Sequence, residues 1–405
     1  MSDWIRALGA LRAVGASAGR IGAHRIWAGG SAARVPSGAA ELTPAYLNRV
    51  LGGRDSGRRA QVSSVDHLGG HSGTTLRDRI EVHYHDALPS TQRSAQGQLP
   101  SGDVRADRFF AKLAPRDFST ALFVHLMGLG ANEVRFYRDL ARDVPVSTPL
   151  AHSAEMSADA VRFCILFEDL EQRGCEFRRI GDDIEAEFAQ AVVIALARIH
   201  ARYWQSPRFD DDLEWLPRRS ADPHYPVARL LCRLAHKPAV RRLRDQMPRD
   251  FADRIRMIFD RREALEDAWA EPPVTLIHGD PHLGNLYLEP DGAPGFLDWQ
   301  LVRVGQGIRD VAHFLITSLS PSLRREIEEP LLERYVETLE GQGVAGFGLE
   351  RARAQYRLHT LYEWFAISVT AAAATLQPME VVSAGLERAI AAIEDWNALD
   401  ALAEL

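Results

Sequence analysis

The run His278-Gly279-Asp280-Pro281-His282-Leu283-Gly284-Asn285, with Phe296-Leu297-Asp298-Trp299-Gln300 after it, narrows the folds open to this chain more than any other feature. Asn285 follows Asp280 by five residues, and Asp298 follows Asn285 by thirteen. Val274 to Ile277 reads as a strand leading in. Asn285 to Leu288 and Gly295 to Leu297 read as a hairpin around Glu289-Pro290-Asp291-Gly292-Ala293-Pro294. Two acids and an amide are thereby set at the ends of short rigid elements. Mg²⁺ prefers one or two carboxylates plus phosphate and water, so this sparse set of oxygen donors is sufficient. An isolated Asp-x-x-x-x-Asn is most simply a turn with side-chain caps. The preceding His278-Gly279 and the following Asp298-Trp299 favour a site that holds Mg²⁺ and a nucleotide triphosphate beside a hydroxyl.

At 405 residues the chain exceeds one ordinary hydrophobic core, so two lobes are expected. Thr43 reads as a helix N-cap, with Pro44 in the first turn. Residues 61 to 85 suggest two strands around Gly69-Gly70-His71-Ser72-Gly73-Thr74-Thr75. Residues 86 to 107, rich in Ser, Gln, Pro, Gly and Asp, read as a long exposed loop. Arg108 to Leu113 is then a strand, 120 to 142 a helix, and Val161 to Phe167 a buried strand. Beyond Leu170, Phe188, Val192, Leu196, Ile199 and Tyr203 recur at helical steps, and the rest is mostly helical apart from 274–298. The expected fold is α+β, bilobal and kinase-like. It divides into an N-terminal extension (1–40), a β-rich N-lobe (41–169) and a larger, mainly helical C-lobe (170–405).

Composition excludes some partners. A formal net charge of -7 gives no sign of a nucleic-acid binder. The sequence holds no run of eighteen apolar residues, so no segment reads as spanning a bilayer. Cys164, Cys175 and Cys232 fit no metal spacing, and a reducing cytoplasm is the simplest setting for three. Residues 4 to 35 carry Arg6, Arg12, Arg20, Arg25 and Arg34 and no acid, interleaved with apolar residues. That pattern suits an extra helix packed on the body, weak contact with an anionic membrane surface, or targeting.

Phosphoryl transfer asks a protein to align phosphates, neutralise charge and orient the attacking hydroxyl. Asp280 is the candidate to accept or orient the hydroxyl proton, and Asn285 and Asp298 are the candidate metal ligands. Lys112 shares a strand face with Phe110, where an unpartnered lysine is costly. Glu133 shares a helical stripe with Phe136, Tyr137 and Leu140. An inward acid and an inward base should meet, and such a pair positions nucleotide phosphates in kinases, the alternative being a lysine that snorkels to solvent and a glutamate on the helix surface. Gly69, Gly70, Ser72 and Gly73 stand where a loop over phosphates belongs, a plain hairpin turn being the alternative. His282 is a candidate contact to the transferring phosphate or the acceptor. His200 reads as a packed structural histidine. Asp310 either braces the loop at 278–285 or caps its own helix.

These segments resemble the catalytic core of the aminoglycoside phosphotransferase and choline kinase superfamily, which shares the protein-kinase-like fold. His278-Gly279-Asp280-x-His282-x-x-Asn285 and Asp298-Trp299-Gln300 are most similar to its ecdysteroid-kinase-like branch. The resemblance covers roughly 42 to 390 and is strongest over 274 to 315. It implies a catalytic aspartate at Asp280, a metal-binding asparagine at Asn285 and a metal-binding aspartate at Asp298, with ATP or GTP and Mg²⁺ as cofactors. It also implies that Glu168, Asp169 and Leu170, after the apolar strand, belong to a connector whose backbone reads adenine.

The implied activity is phosphotransfer to a hydroxyl of a small molecule. Residues 217 to 262 carry thirteen Lys or Arg against five Asp, which argues against a polycationic acceptor and for a neutral or anionic hydroxyl compound, the expected acceptor being a small neutral or lipophilic alcohol. The alternatives are an aminoglycoside-type antibiotic kinase and a non-catalytic nucleotide-binding scaffold. Protein phosphorylation is disfavoured, because His-Arg-Asp and Ala-Pro-Glu elements are missing.

Overall fold

A computed structural model describes residues 2–26, 35–52, 61–85, 106–219, 222–372 and 378–405. The expected loop at 86–107 therefore lies outside them, apart from its last two residues. The fold is α+β: an antiparallel five-stranded sheet followed by a mostly helical region. The chain forms two units, one of Val14–Asp139 and Pro149–Gly174, the other of Met1–Ala13, Leu140–Thr148 and Cys175–Leu405. Among the described residues no helix is long and apolar enough to cross a membrane.

The first unit is built on β1 (Gln61–Ser72), β2 (Leu76–His85), β3 (Ala106–Leu113), β4 (Ala151–Met156) and β5 (Phe163–Glu168), in the order β1-β2-β3-β5-β4. Alternation along β3 sends Phe109, Ala111 and Leu113 into a core with Tyr46 and Leu47 of the helix Pro44–Leu51. Thr43 caps that helix, its side chain accepting the Tyr46 N–H. Lys112, on the other face, is turned toward the helix Leu129–Arg135. The single helix expected over 120–142 is broken. Phe118–Leu126 stops at Gly128, which is left-handed (φ 67°), and a π-helical turn, Phe136–Leu140, follows Leu129–Arg135. The helix Ser2–Ile26 packs on this unit through Ser17, which meets His125, and His24, which meets Asp159 at 2.7 Å.

In the second unit, β6 (Glu176–Phe177), β8 (Leu286–Leu288) and β9 (Pro294–Phe296) form one small sheet. Before β8 in the chain, β7 (Thr275–Ile277) pairs with β10 (Arg303–Gly305). Helices surround them. The helix Ala186–Arg202 buries Val192, Leu196 and Ile199, as its apolar spacing requires. A second apolar cluster joins Leu243, Phe251, Trp364, Phe365 and Leu399. No disulfide joins Cys164, Cys175 or Cys232.

Candidate active site

The loop after β7 is fixed at its backbone. Gly279 has φ 88°, and a Cβ there would collide with the carbonyl oxygen of Leu301, so glycine is required. The carboxylate of Asp310 accepts the amide N–H of His278 at 2.6 Å and of Gly279 at 2.9 Å. Asp310 thus braces the loop and does not cap the helix Ile308–Ser318, whose N-cap is Gly307. His200, fully buried, holds Asp310 from behind at 3.4 Å and receives the Tyr335 hydroxyl at 2.9 Å. Burial pushes the Asp310 carboxyl up, but the hydrogen bonds it accepts from His200 and from the Gly279 amide outweigh this and keep it below its ordinary value.

His278 clamps the loop to the hairpin. Its Nε2 donates to the carbonyl of Leu297 at 2.8 Å, and its Nδ1 accepts the Asp280 amide at 3.2 Å. Both nitrogens are used by the neutral ring, and burial lowers the histidine's pKa to match.

Asp280 follows. Its Oδ1 accepts from His313 Nε2 at 3.0 Å, and its Oδ2 accepts from the Asn285 amide at 3.2 Å. The same Asn285 nitrogen donates to the Asp280 carbonyl at 2.9 Å, which fixes the orientation of the amide. His282 Nε2 stands 3.7 Å from Oδ2. Burial raises the Asp280 carboxyl, yet the charge of His282 and the hydrogen bond from His313 bring it down to about 2.

Asn285 and Asp298 lie at one end of the β8–β9 hairpin. Its register pairs Leu286 with Phe296, and the Leu297 N–H then bonds the Asn285 carbonyl at 2.8 Å. Asp298 follows with φ 58° and ψ 61°, a left-handed conformation uncommon outside glycine and concentrated at functional sites. With its nitrogen turned to Asp280, Asn285 has its side-chain oxygen left to offer. An amide oxygen and a carboxylate on one hairpin end are hard donors of the kind Mg²⁺ takes, so the residues present fit that ion.

One partner of Asp280, His313, and the acid behind it, Glu363, were not read from the sequence. His313 Nδ1 meets Glu363 Oε1 at 2.8 Å, so a buried histidine sits between two carboxylates. Burial opposes its proton, but the charge of Glu363 and the hydrogen bonds that His313 donates to both acids raise its pKa well above the ordinary value. The signals were present: Asp310 and His313 are three apart on one helix, and Glu363 interrupts a run of aromatics. A pH dependence follows. The raised His313 gives stability that is full below its unfolded value, about 6.5, and lost as pH rises toward its folded value. The depressed Asp280 gives stability that is present above 3.8 and lost as pH falls toward about 2. Thermal melts against pH should therefore weaken on both flanks, and His313→Gln should flatten the alkaline one. An unchanged alkaline flank would show that His313 is not held as the cation.

In the sheet unit, Lys112 Nζ lies 2.8 Å and 2.7 Å from the two carboxylate oxygens of Glu133, both residues being buried. The expected loop at 69–75 is shorter than its glycines suggest. Gly69 (φ 112°) and Gly70 lie within β1 beside a bulge, Ser72 pairs with Leu76, and the turn is Gly73–Thr75. A Cβ on Gly70 would strike the Arg77 carbonyl, so strand contact explains that residue. Glu168 accepts from the Leu150 amide at 2.8 Å and from Arg173 at 2.6 Å. Asp169, buried, pairs with Arg79 at 3.3 Å, and Leu170 is buried beside it. The two acids are thus engaged by their own unit, leaving backbone as what this stretch can offer a ligand.

A family model described as "Phosphotransferase enzyme family" matches residues 98–355. No curated protein sequence matches the chain. Among solved structures the chain is similar to the GDP complex of wild-type aminoglycoside 2'-phosphotransferase-IIIa, at 13% identity over 86% of this chain and 96% of that one, with a TM-score of 0.49. It is also similar to a choline kinase from Streptococcus pneumoniae, at 11% identity over 89% and 97%, TM-score 0.43. A choline/ethanolamine kinase family protein from Mesorhizobium loti follows at 13% identity over 88% and 98%, TM-score 0.45.

Proposed function

This chain belongs to the phosphotransferase enzyme family, and from that premise we propose that it moves the terminal phosphoryl group of ATP or GTP to a hydroxyl of a small molecule. Within the family we assign it to the ecdysteroid-kinase-like branch, on residues 278–285 and 298–300. The observation that carries the reading is the setting of Asp280, an ionised carboxylate oriented by His313 on one oxygen and Asn285 on the other. Asp280 aligns the acceptor hydroxyl and takes its proton as the new oxygen–phosphorus bond forms and the bond to the leaving nucleoside diphosphate breaks. Asn285 and Asp298 would hold Mg²⁺, which supplies charge neutralisation to the phosphates. Lys112, steadied by Glu133, is assigned to the nucleotide phosphates, as are the backbone groups of 69–73. The backbone of 168–170 is assigned to the base, and His282 to the transferring phosphate.

The acceptor is proposed to be a small alcohol that is neutral, lipophilic or anionic and not polycationic, because of the basic stretch 217–262. Weak membrane-surface contact through the N-terminal helix is part of the proposal, with Arg12 and Arg20 among its exposed residues. So is a cytoplasmic setting, in keeping with three unbridged cysteines.

Nucleotide titration with and without Mg²⁺ tests the core of this reading. ATP or GTP should bind more tightly with Mg²⁺ than with chelator. Asp298→Ala should remove that gain by at least on the order of tenfold, the loss typical even of a group one shell further out. Equal affinity with Mg²⁺ and with chelator in the unsubstituted protein would overturn it.

A further inference from the structure

One guanidinium group lies against the loop that carries Asp280, a second is near enough to feel its charge, and one carboxylate answers the pair. Arg303 opens β10 opposite Ile277, the last residue of β7. Arg309 stands in the first turn of the helix Ile308–Ser318, with Nη2 3.5 Å from the Gly279 carbonyl. Its guanidinium carbon lies 4.0 Å from the centre of the Tyr362 ring. Tyr362 in turn meets His313 edge to face, centroids 5.9 Å apart, and His313 bonds Asp280. Arg309, Tyr362, His313 and Asp280 are therefore contiguous.

The acids around them are engaged. Asp222 pairs with Arg303 at 3.3 Å, Asp310 binds the loop amides, and Glu363 binds His313. Among the described residues no carboxylate lies within ion-pair distance of Arg309, and its buried Nε has no hydrogen-bond partner. The surplus charge is felt nearby. Burial lowers the pKa of Arg303, and the charge of Arg309 lowers it further. Burial, then Arg309, likewise holds His359 well below its ordinary value. A half-buried cation without a counter-charge is a standing cost unless a ligand brings the anion. The guanidinium fork matches carboxylate and phosphate oxygens, and stacking on Tyr362 pre-orients it.

We propose that Arg309 and Arg303 form a subsite for an acid group on the acceptor, so that the substrate is an alcohol bearing one carboxylate or phosphate. This rests on the phosphotransferase reading above and narrows its acceptor to a molecule with one anionic end, whatever the character of the rest. The hydroxyl goes to Asp280, and the acid group takes no part in bond making.

The test compares glycerate with glyceramide and glycerol phosphate with glycerol, binding each to the full chain with Mg²⁺ and a non-hydrolysable ATP analogue at constant ionic strength. Each acid should bind at least about tenfold more tightly than its neutral match. Arg309→Gln should abolish the preference, and Arg309→Lys, which keeps the charge but loses the fork, should restore part of it. The tighter of the two acids identifies the group the subsite takes. Acids that bind no better than neutral compounds, or a preference that survives Arg309→Gln, overturn the inference. Intrinsic ATP hydrolysis in Asp280→Asn separates the two failures. If that substitution slows hydrolysis while the acids show no preference, this inference alone falls; if hydrolysis is unaffected, the phosphotransferase reading falls with it.

Discussion

Asp280→Asn is expected to lower kcat for phosphoryl transfer by about 10²–10⁴-fold, the range for loss of a positioned proton acceptor, with nucleotide affinity almost unchanged. The substitution is nearly isosteric. An asparagine oxygen can still accept from His313, which lies 3.0 Å from the native carboxylate, and the Asn285 amide, though it loses its acceptor on the side chain, keeps the main-chain carbonyl at 2.9 Å, so the loop stays anchored. What is lost is the ability to receive a proton. Steady-state kinetics with separate kcat and KM, beside a thermal melt to show the fold intact, reads this directly. A kcat within about threefold of the unsubstituted enzyme would leave Asp280 without a chemical role.

The depressed pKa of Asp280 bears on when the proton moves. A carboxylate held below its ordinary range cannot remove a proton from a free alcohol, which is about as weak an acid as bulk water. Transfer becomes downhill only as the oxygen–phosphorus bond forms and the hydroxyl acidifies. Asp280 therefore acts first by orientation and late as a base, which suits a loose transition state that needs little nucleophile activation. The His313–Glu363 pair serves that purpose, since it holds one carboxylate oxygen and keeps the group ionised.

Features with a local cause were legible in the sequence. Thr43 caps its helix through a bond three residues away, and the hairpin around 289–294 follows from turn residues between apolar triplets. The meeting of Lys112 and Glu133 was legible for a related reason: each is a charge on an otherwise apolar face, and two such charges need each other. Features with a distant cause were not. The break at Gly128 is hidden because the apolar period of 120–142 runs across it, and the glycine shows its meaning only in its left-handed conformation. Gly69 and Gly70 suggested a loop, yet the strand runs through them on a bulge and close backbone contact. Asp310 offered two readings, and the choice lay with amide groups some thirty positions upstream. His313 and Glu363 gain their roles from residues 33 and 50 positions away, beyond the reach of any window of local pattern.

Lys112→Met should destabilise the sheet unit by about 3–5 kcal/mol, the usual consequence of stranding one member of a buried ion pair. Lys112 and Glu133 are 4% and 1% exposed, so water cannot take the place of the missing ammonium. Glu133→Leu should have a comparable effect through the stranded lysine. The double variant Lys112→Met/Glu133→Leu should recover most of the loss, because two apolar side chains fill the space with no charge left to solvate. Urea unfolding of all four proteins completes the cycle, and a coupling under about 0.5 kcal/mol would mean that the pair is solvated or independent. Nucleotide binding supplies the contrast. Stability returns in the double variant, but affinity for Mg²⁺–ATP should not, since phosphates need the cation that stability does not. A double variant as stable as the native chain and unable to hold nucleotide would separate the two demands, with the buried pair retained for its ligand.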